Sequence, residues 1–151
     1  MNSEEVNDIK RTWEVVAAKM TEAGVEMLKR YFKKYPHNLN HFPWFKEIPF
    51  DDLPENARFK THGTRILRQV DEGVKALSVD FGDKKFDDVW KKLAQTHHEK
   101  KVERRSYNEL KDIIIEVVCS CVKLNEKQVH AYHKFFDRAY DIAFAEMAKM
   151  G

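Results

Sequence analysis

Residues 56–77 read NARFKTHGTRILRQVDEGVKAL, and this stretch indicates most clearly what kind of fold the chain adopts. Its apolar residues recur every three or four positions, for example at Phe59, Val70 and Leu77, and His62 falls on the same face. A period near 3.6 residues is typical of an amphipathic α-helix with one face toward a core. The stretch therefore predicts a long helix that carries a histidine inward.

Helical periodicity recurs along nearly the whole chain, whereas the two-residue alternation of strands is hard to find. A first helix is predicted to begin at Ser3 as its capping residue, and others to cover residues 21–35, 85–98, 107–123 and 126–148. Residues 36–55, which are rich in proline and aromatic residues, predict a partly ordered corner, and residues 78–84 predict a loop. The sequence predicts an all-α fold in a single domain over residues 1–151.

Two sequence signals predict where the last two helices begin. Ser106 followed by Glu109 matches a capping box, and Asn125 followed by Gln128 is a weaker version of it. In such a box the first side chain accepts a backbone N–H of the first turn, and the second reaches back to the cap. We therefore expect caps at residues 106 and 125.

Composition argues against several classes of protein. The 151 residues are 42% hydrophobic and 34% charged, which provides both a core and a well-solvated surface. The 27 basic and 25 acidic residues nearly cancel, leaving a net charge of +2. Such a balance does not predict binding to nucleic acid. No run approaches 18 apolar residues, so no membrane span is predicted.

The N-terminal residues and the cysteines predict a cytoplasmic location. The sequence Met-Asn-Ser-Glu-Glu has neither the basic flank nor the apolar core of a signal peptide. Cys119 and Cys121 are two residues apart on a predicted helix, where a disulfide between them is sterically unfavourable. We expect both to be reduced thiols in a reducing compartment.

Two of the seven histidines stand out. His62 and His97 lie on the apolar faces of separate predicted helices, whereas the others, such as His37, His41, His130 and His133, are expected to be ordinary surface or hydrogen-bonded residues. Burial of an unpaired imidazole costs free energy, so both inward histidines need a partner. Two histidines that face one apolar space suit a planar iron cofactor.

Other metal chemistry is poorly supported. Covalent haem attachment requires Cys-x-x-Cys-His, which does not occur in the sequence. His97 and His98 are adjacent, so on a helix they diverge by about 100° and do not easily bind one zinc ion together. No His-Glu-x-x-His motif or paired Cys-x-x-Cys motif occurs either.

The arrangement of motifs resembles the globin family. Tyr35-Pro36, then Phe42, then Lys60-Thr61-His62-Gly63, then Leu93-Ala94-Gln95-Thr96-His97 follow the order and spacing of the globin signature. The resemblance covers essentially the whole chain, and the nearest likeness is to intracellular insect haemoglobins. It implies a globin fold of seven or eight helices around a haem pocket. It also implies one non-covalent haem b (iron protoporphyrin IX) and binding of dioxygen and other diatomic gases.

The resemblance also implies roles for the inward histidines. His97 would be the proximal iron ligand, with His98 as the competing candidate. His62 would be the distal residue, which either donates a hydrogen bond to bound dioxygen or binds the iron directly. Five-coordinate and six-coordinate resting iron use the same residues, so both states remain open.

The remaining haem contacts are also carried over from the resemblance. The side chains implied to line the haem pocket are Leu28, Phe42, Phe45, Ile66, Leu93, Tyr107, Leu110 and Ile114. Arg65 and Lys101 are the candidates to pair with the haem propionates, which need cationic partners. Val102 lies one place off the spacing common in vertebrate globins, which puts the geometry of the adjacent corner in doubt.

Several functions remain open on these observations. The resemblance favours oxygen storage or facilitated intracellular transport by a protein that is not an enzyme and has no catalytic residues. A haem-based nitric-oxide dioxygenase, a peroxidase-like scavenger or a redox sensor is the alternative. A third possible function is that of a helical interaction module without haem. That function would leave the inward positions of His62 and His97 unexplained. A homodimer is compatible with the resemblance, although no decisive interface patch is visible.

Overall fold

The computed structural model describes residues 1–151 and contains no strand. It confirms the all-α prediction. The seven α-helices are α1 (Ser3–Ala17), α2 (Met20–Lys34), α3 (Pro43–Lys46), α4 (Ala57–Lys75), α5 (Lys84–His97), α6 (Arg104–Cys121) and α7 (Glu126–Lys149). Four short 3₁₀ helices connect them, at Pro36–His41, Phe50–Glu55, Val79–Phe81 and His98–Lys100. The corner at residues 36–55 is therefore more regular than predicted, because Pro36 and Pro43 occupy the first positions of short helices, where proline is favoured.

Of the three capping residues predicted from the sequence, one is confirmed and two differ from the structure. The box at Asn125 is confirmed, since its side chain accepts the Gln128 N–H at 2.9 Å. Helix α1 is capped by Asn2 rather than Ser3, and the Asn2 side chain accepts the Glu5 N–H at 2.8 Å. The box predicted at Ser106 is wrong, because α6 already begins at Arg104.

The reason for the error at Ser106 lies in the partners of Glu109. The Glu109 carboxylate is buried and accepts hydrogen bonds from Asn38 at 3.2 Å and His37 at 2.8 Å. It is therefore not free to reach back to the Ser106 N–H. The Ser106 carbonyl in turn accepts the Tyr31 hydroxyl at 3.1 Å. The motif thus joins α6 to α2 and to the corner after it, instead of starting a helix.

These assignments predict unequal outcomes for two alanine variants. Asn125→Ala removes a working cap and should lower the free energy of unfolding by about 1 kcal/mol. Ser106→Ala, in the first turn of α6, should lower it by clearly less than Asn125→Ala does, because the buried Ser106 side chain makes no hydrogen bond that caps α6. Urea unfolding of both variants checks this, and an equal loss in both would contradict the assignment.

The helices pack around one continuous core of 30 buried residues. Its largest fully buried side chains include Trp13, Trp90, Tyr132, Phe135 and Phe136. Where α2 crosses α4, Gly24 faces Gly63, and a Cβ added to Gly63 would lie only 2.6 Å from the Gly24 carbonyl oxygen. This close crossing fixes the position of α4 and hence of His62. None of the helices is long and apolar enough to cross a membrane.

Candidate functional site

A cavity of about 1160 Å³ lies between the corner after α2 and helices α4, α5, α6 and α7. It is lined by 24 residues, of which 13 are hydrophobic. Pockets for drug-sized ligands usually measure about 300–1,000 Å³. The cavity is therefore large enough for a bulky and largely apolar ligand. Both inward histidines line it.

His97, the last residue of α5, is half-buried on the cavity wall. Its Nδ1 lies 3.0 Å from the Leu93 carbonyl oxygen and 2.7 Å from the Thr96 hydroxyl oxygen. Since a carbonyl only accepts, Nδ1 carries the proton and donates it to Leu93. Burial, together with the charge of Lys100, lowers the pKa of His97. The ring is therefore neutral at pH 7, and Nε2 keeps a lone pair for a metal.

His62 lies on α4 and is also half-buried. Its ring packs edge-on against Phe42, with 4.9 Å between ring centroids. Burial and, to a smaller extent, the nearby charges of Lys100 and Arg65 together lower the pKa of His62 to about 4. His62 is consequently a neutral imidazole at pH 7. It offers either one N–H donor or one lone pair to a ligand in the cavity.

His98 is the alternative ligand predicted from the sequence, and it does not line the cavity. Its Nδ1 lies 3.2 Å from the Gln95 carbonyl oxygen, and its Nε2 lies 3.9 Å from the Glu99 carboxylate. One residue after His97, the helical rotation turns this side chain elsewhere. The geometry favours His97 over His98 as a metal ligand.

The structure brings together nine of the twelve predicted contact residues. The cavity is lined by Phe42, His62, Arg65, Ile66, Leu93, His97, Tyr107, Leu110 and Ile114. Leu28 and Phe45 are instead buried in the core, and Phe45 stacks behind Phe42 with 6.0 Å between ring centroids. Lys101 adopts a left-handed backbone conformation and is exposed, whereas its neighbour Lys100 lines the cavity.

Sequence reasoning missed several lining residues. Arg58 lies one helical turn before His62, so the four-residue spacing was a signal that could have identified it. His41 was expected to be an ordinary surface residue but lies on the wall. Val102, whose spacing put the corner after α5 in doubt, also lines the cavity. Trp90 lies three residues before Leu93 on the same face of α5, a spacing that could also have identified it. The inner wall adds side chains from α2 and α7 that no local pattern assigns to the cavity: Tyr31, Phe136 and Tyr140.

The cationic side chains on the wall define its electrostatic character. Arg58, Arg65 and Lys100 all line the cavity and are exposed to solvent. The Arg58 guanidinium lies 4.3 Å from the centre of the Trp44 ring, a cation–π contact that holds this arginine in place. These groups suit the anionic edge of a ligand. The residues present therefore fit a haem, with apolar walls, a free imidazole nitrogen and cations for the propionates.

Comparison with known proteins identifies the family. The Globin family pattern matches residues 25–143. The chain is 25% identical to Globin CTT-VI of Chironomus thummi thummi, over 97% of this chain and 88% of that protein. It is 31% identical to Cytoglobin-1 of Danio rerio, over 78% of this chain and 67% of the relative.

Solved structures agree with these matches. A structure of the hexa-coordinate haemoglobin of Drosophila melanogaster superposes with a TM-score of 0.86 and 38% identity, covering 95% of this chain and 94% of that one. Another Drosophila melanogaster globin structure gives a TM-score of 0.87 at 39% identity, with 96% and 94% covered. Family pattern, relatives and architecture agree over nearly the whole length, and the chain belongs to the globin family.

Proposed function

We propose that this globin holds one haem b in the cavity and binds dioxygen reversibly, for oxygen storage or facilitated transport inside cells. The observation that carries the proposal is the pair of neutral, half-buried histidines on separate helices that line one apolar cavity. When bound, haem supplies an iron to which diatomic gases bind reversibly. The protein acts as a carrier and not as an enzyme.

In this proposal His97 would hold the iron through Nε2. The hydrogen bond from its Nδ1 to the Leu93 carbonyl holds the ring in one tautomer and one orientation. The Thr96 hydroxyl also contacts Nδ1 and limits rotation of the ring. The end of α5 thus presents a ligand whose direction is fixed before any cofactor arrives.

His62 holds a proton next to the gas site. As a neutral imidazole it donates one hydrogen bond to a bound gas, and a donor acts strongly where water is excluded. Phe42 packs against its ring at 4.9 Å between centroids and restricts its movement. Ile66, one turn further along α4, narrows the same part of the cavity. The arrangement would favour a gas such as dioxygen that accepts a hydrogen bond.

Arg58, Arg65 and Lys100 orient the cofactor by pairing with its propionates. Charge-assisted hydrogen bonds from guanidinium groups to carboxylates are directional and strong. Lys101, which was predicted for this role, is less well placed because it does not line the cavity. The apolar inner wall then receives the uncharged part of the ring.

Redox signalling or scavenging is the second candidate. The specific observation in its favour is that the Drosophila melanogaster haemoglobin, 38% identical to this chain, is hexa-coordinate. Neutral His62 would instead be able to bind the iron directly, in the tautomer whose cavity-facing nitrogen carries no proton. Such a resting state would compete with dioxygen and favour electron transfer. In either case we place the protein in a reducing cytoplasm, since Cys119 and Cys121 are free thiols.

The distal role of His62 predicts a kinetic effect. His62→Ala should retain haem but release dioxygen about ten- to a hundredfold faster, because a hydrogen bond to a charged acceptor contributes about 1.5–3 kcal/mol. Stopped-flow displacement of dioxygen by carbon monoxide measures this rate. His133→Ala, on α7 and away from the cavity, is the matched control and should leave the rate unchanged. An unchanged rate in His62→Ala would contradict the proposed role.

A further inference from the structure

A buried carboxylate outside the cavity joins two parts of the cavity wall. Glu109 on α6 is 8% exposed and does not line the cavity. Three of its neighbours on α6 do line it: Ser106, Tyr107 and Leu110. The Glu109 side chain instead contacts the short helix Pro36–His41, at the start of the corner that supplies another part of the wall. No haem or gas contact proposed for the cavity involves this carboxylate.

Glu109 holds the short helix through directional contacts. Its Oε1 lies 2.8 Å from the His37 Nε2 and accepts the Asn38 Nδ2–H at 3.2 Å. Its Oε2 lies 3.5 Å from the Nε of Arg105, one turn earlier on α6. Hydrogen bonds to a carboxylate are stronger than those between neutral groups. Because both oxygens have partners, the carboxylate cannot turn without losing one of them.

The short helix is anchored by a polar side chain. Asn38 is 0% exposed and is the only buried residue of Pro36–His41. Its Oδ1 has no hydrogen-bond partner, so the contact from Nδ2 to Glu109 is the one hydrogen bond that its side chain makes. Without the Glu109 acceptor the whole Asn38 amide would be buried and unpaired, which is unfavourable. The position of the short helix therefore depends on Glu109.

This anchored helix leads directly into Phe42. The Phe42 N–H donates to the Leu39 carbonyl at 2.9 Å, which ties the start of α3 to the short helix. The Phe42 ring lines the cavity and lies edge-on to His62. Two other residues of the same short helix also line the cavity, Asn40 and His41. A shift of the short helix would therefore move this part of the wall and release the His62 ring.

The cost of burying Glu109 argues against a role in stability alone. Removing a carboxylate from water is unfavourable, and apolar side chains of similar volume often stabilise such a site equally well or better. Directional hydrogen bonds instead define one relative position of the elements that they join. We propose that Glu109 is a positioning residue, which holds the corner on α6 and thereby sets Phe42 against the haem and beside His62. This inference rests on the proposed haem site.

Two substitutions at position 109 test the proposal in the haem-loaded protein. Glu109→Met keeps a similar volume but removes both acceptors, whereas Glu109→Gln keeps one carbonyl oxygen for Asn38. Glu109→Met should accelerate haem loss to an excess of another apo-globin about tenfold, because an unpaired buried donor has an effect of about that size. Glu109→Gln should stay within about threefold of the unmodified protein. The infrared band of bound carbon monoxide should broaden in Glu109→Met only, since it responds to the position of His62.

A second readout does not depend on haem. Hydrogen exchange of the Phe42 and Phe45 amides, which close turns of the corner, measures how firmly the corner is held. In the full chain, with and without haemin, Glu109→Met should accelerate this exchange about tenfold and leave the amides of α1 and α7 unchanged. Faster exchange with unchanged haem loss would overturn the positioning role. If the chain bound no haem, the proposed function would fail, while the exchange would still show whether Glu109 holds the corner.

Asp137→Met is the matched control. Asp137 also forms an ion pair between two helices, with Lys111 at 3.0 Å, but it lies on α7 and does not line the cavity. Because exposed ion pairs contribute little, this variant should leave haem loss and corner exchange within about twofold. Parallel acceleration of exchange in every helix by Glu109→Met would overturn the proposal, since Glu109 would then act on overall stability.

A double variant keeps the test decisive if Glu109→Met folds poorly. Glu109→Met combined with Asn38→Leu removes the acceptor and its buried donor together, which is close to neutral for stability. It should unfold at a urea concentration close to that of the unmodified protein and yet lose haem faster. An unchanged rate of haem loss in this stable variant would overturn the positioning role of Glu109.

Discussion

Replacing His97 with alanine is expected to weaken haem retention by at least about a hundredfold. Loss of groups that merely orient a metal ligand already costs about 10–100-fold in affinity, and His97 is proposed as the ligand itself. The structure supplies no replacement from α5, because the neighbouring His98 contacts Gln95 and Glu99 outside the cavity. Transfer of haem from the variant to an excess of another apo-globin measures the loss.

The control for this prediction is His98→Ala, which removes an imidazole one position further along. It should retain haem as the unmodified protein does, within about twofold. Thr96→Val offers an intermediate test, since it removes only the hydroxyl that contacts His97 Nδ1 at 2.7 Å. If His98→Ala lost haem while His97→Ala retained it, the assignment of the ligand would be refuted.

Gly63→Ala is expected to lower the free energy of unfolding by about 3 kcal/mol. The new Cβ would lie 2.6 Å from the carbonyl oxygen and 2.7 Å from the carbonyl carbon of Gly24. Both are backbone atoms, so no side-chain movement relieves the clash and α2 must separate from α4. His62 precedes Gly63, so its position would change as well. Urea unfolding and haem affinity should therefore both be affected.

Gly82→Ala is the matched control for that variant. Gly82 is exposed, and its added Cβ would meet only the Val79 carbonyl oxygen, at 3.3 Å. We expect its free energy of unfolding to change by less than about 1 kcal/mol. If Gly63→Ala unfolded at the same urea concentration as Gly82→Ala, the close helix crossing would not exist in solution.

Helical periodicity was sufficient to predict the architecture because each long helix presents one continuous apolar face. The face seen in residues 56–77 corresponds to α4, whose buried residues include Phe59, Val70 and Val74. Capping was harder to predict, as Ser106 shows. A Ser-x-x-Glu pattern does not reveal that Glu109 is already bound to Asn38 and His37 in another element.

The site was predictable where a residue's helical face determines its position. His62 and His97 line the cavity, as their spacing indicated. The spacing of residues along the sequence does not show whether a side chain reaches the cavity or lies one layer behind it. Phe45 was therefore predicted to contact the haem, although it packs behind Phe42. Lys100 replaces Lys101 because the chain turns through a left-handed residue at position 101. Tertiary geometry alone decides such cases.

The absorption spectrum of the haem-loaded, dithionite-reduced protein tests the central claim most directly. The purified chain should carry one haem, and its visible bands should change when dioxygen is admitted and return when it is removed. One broad visible band before dioxygen indicates open ferrous iron, whereas two sharp bands indicate that His62 also binds it. Both forms agree with haem between His62 and His97. A chain that shows no haem band, even after titration with haemin, would contradict the account.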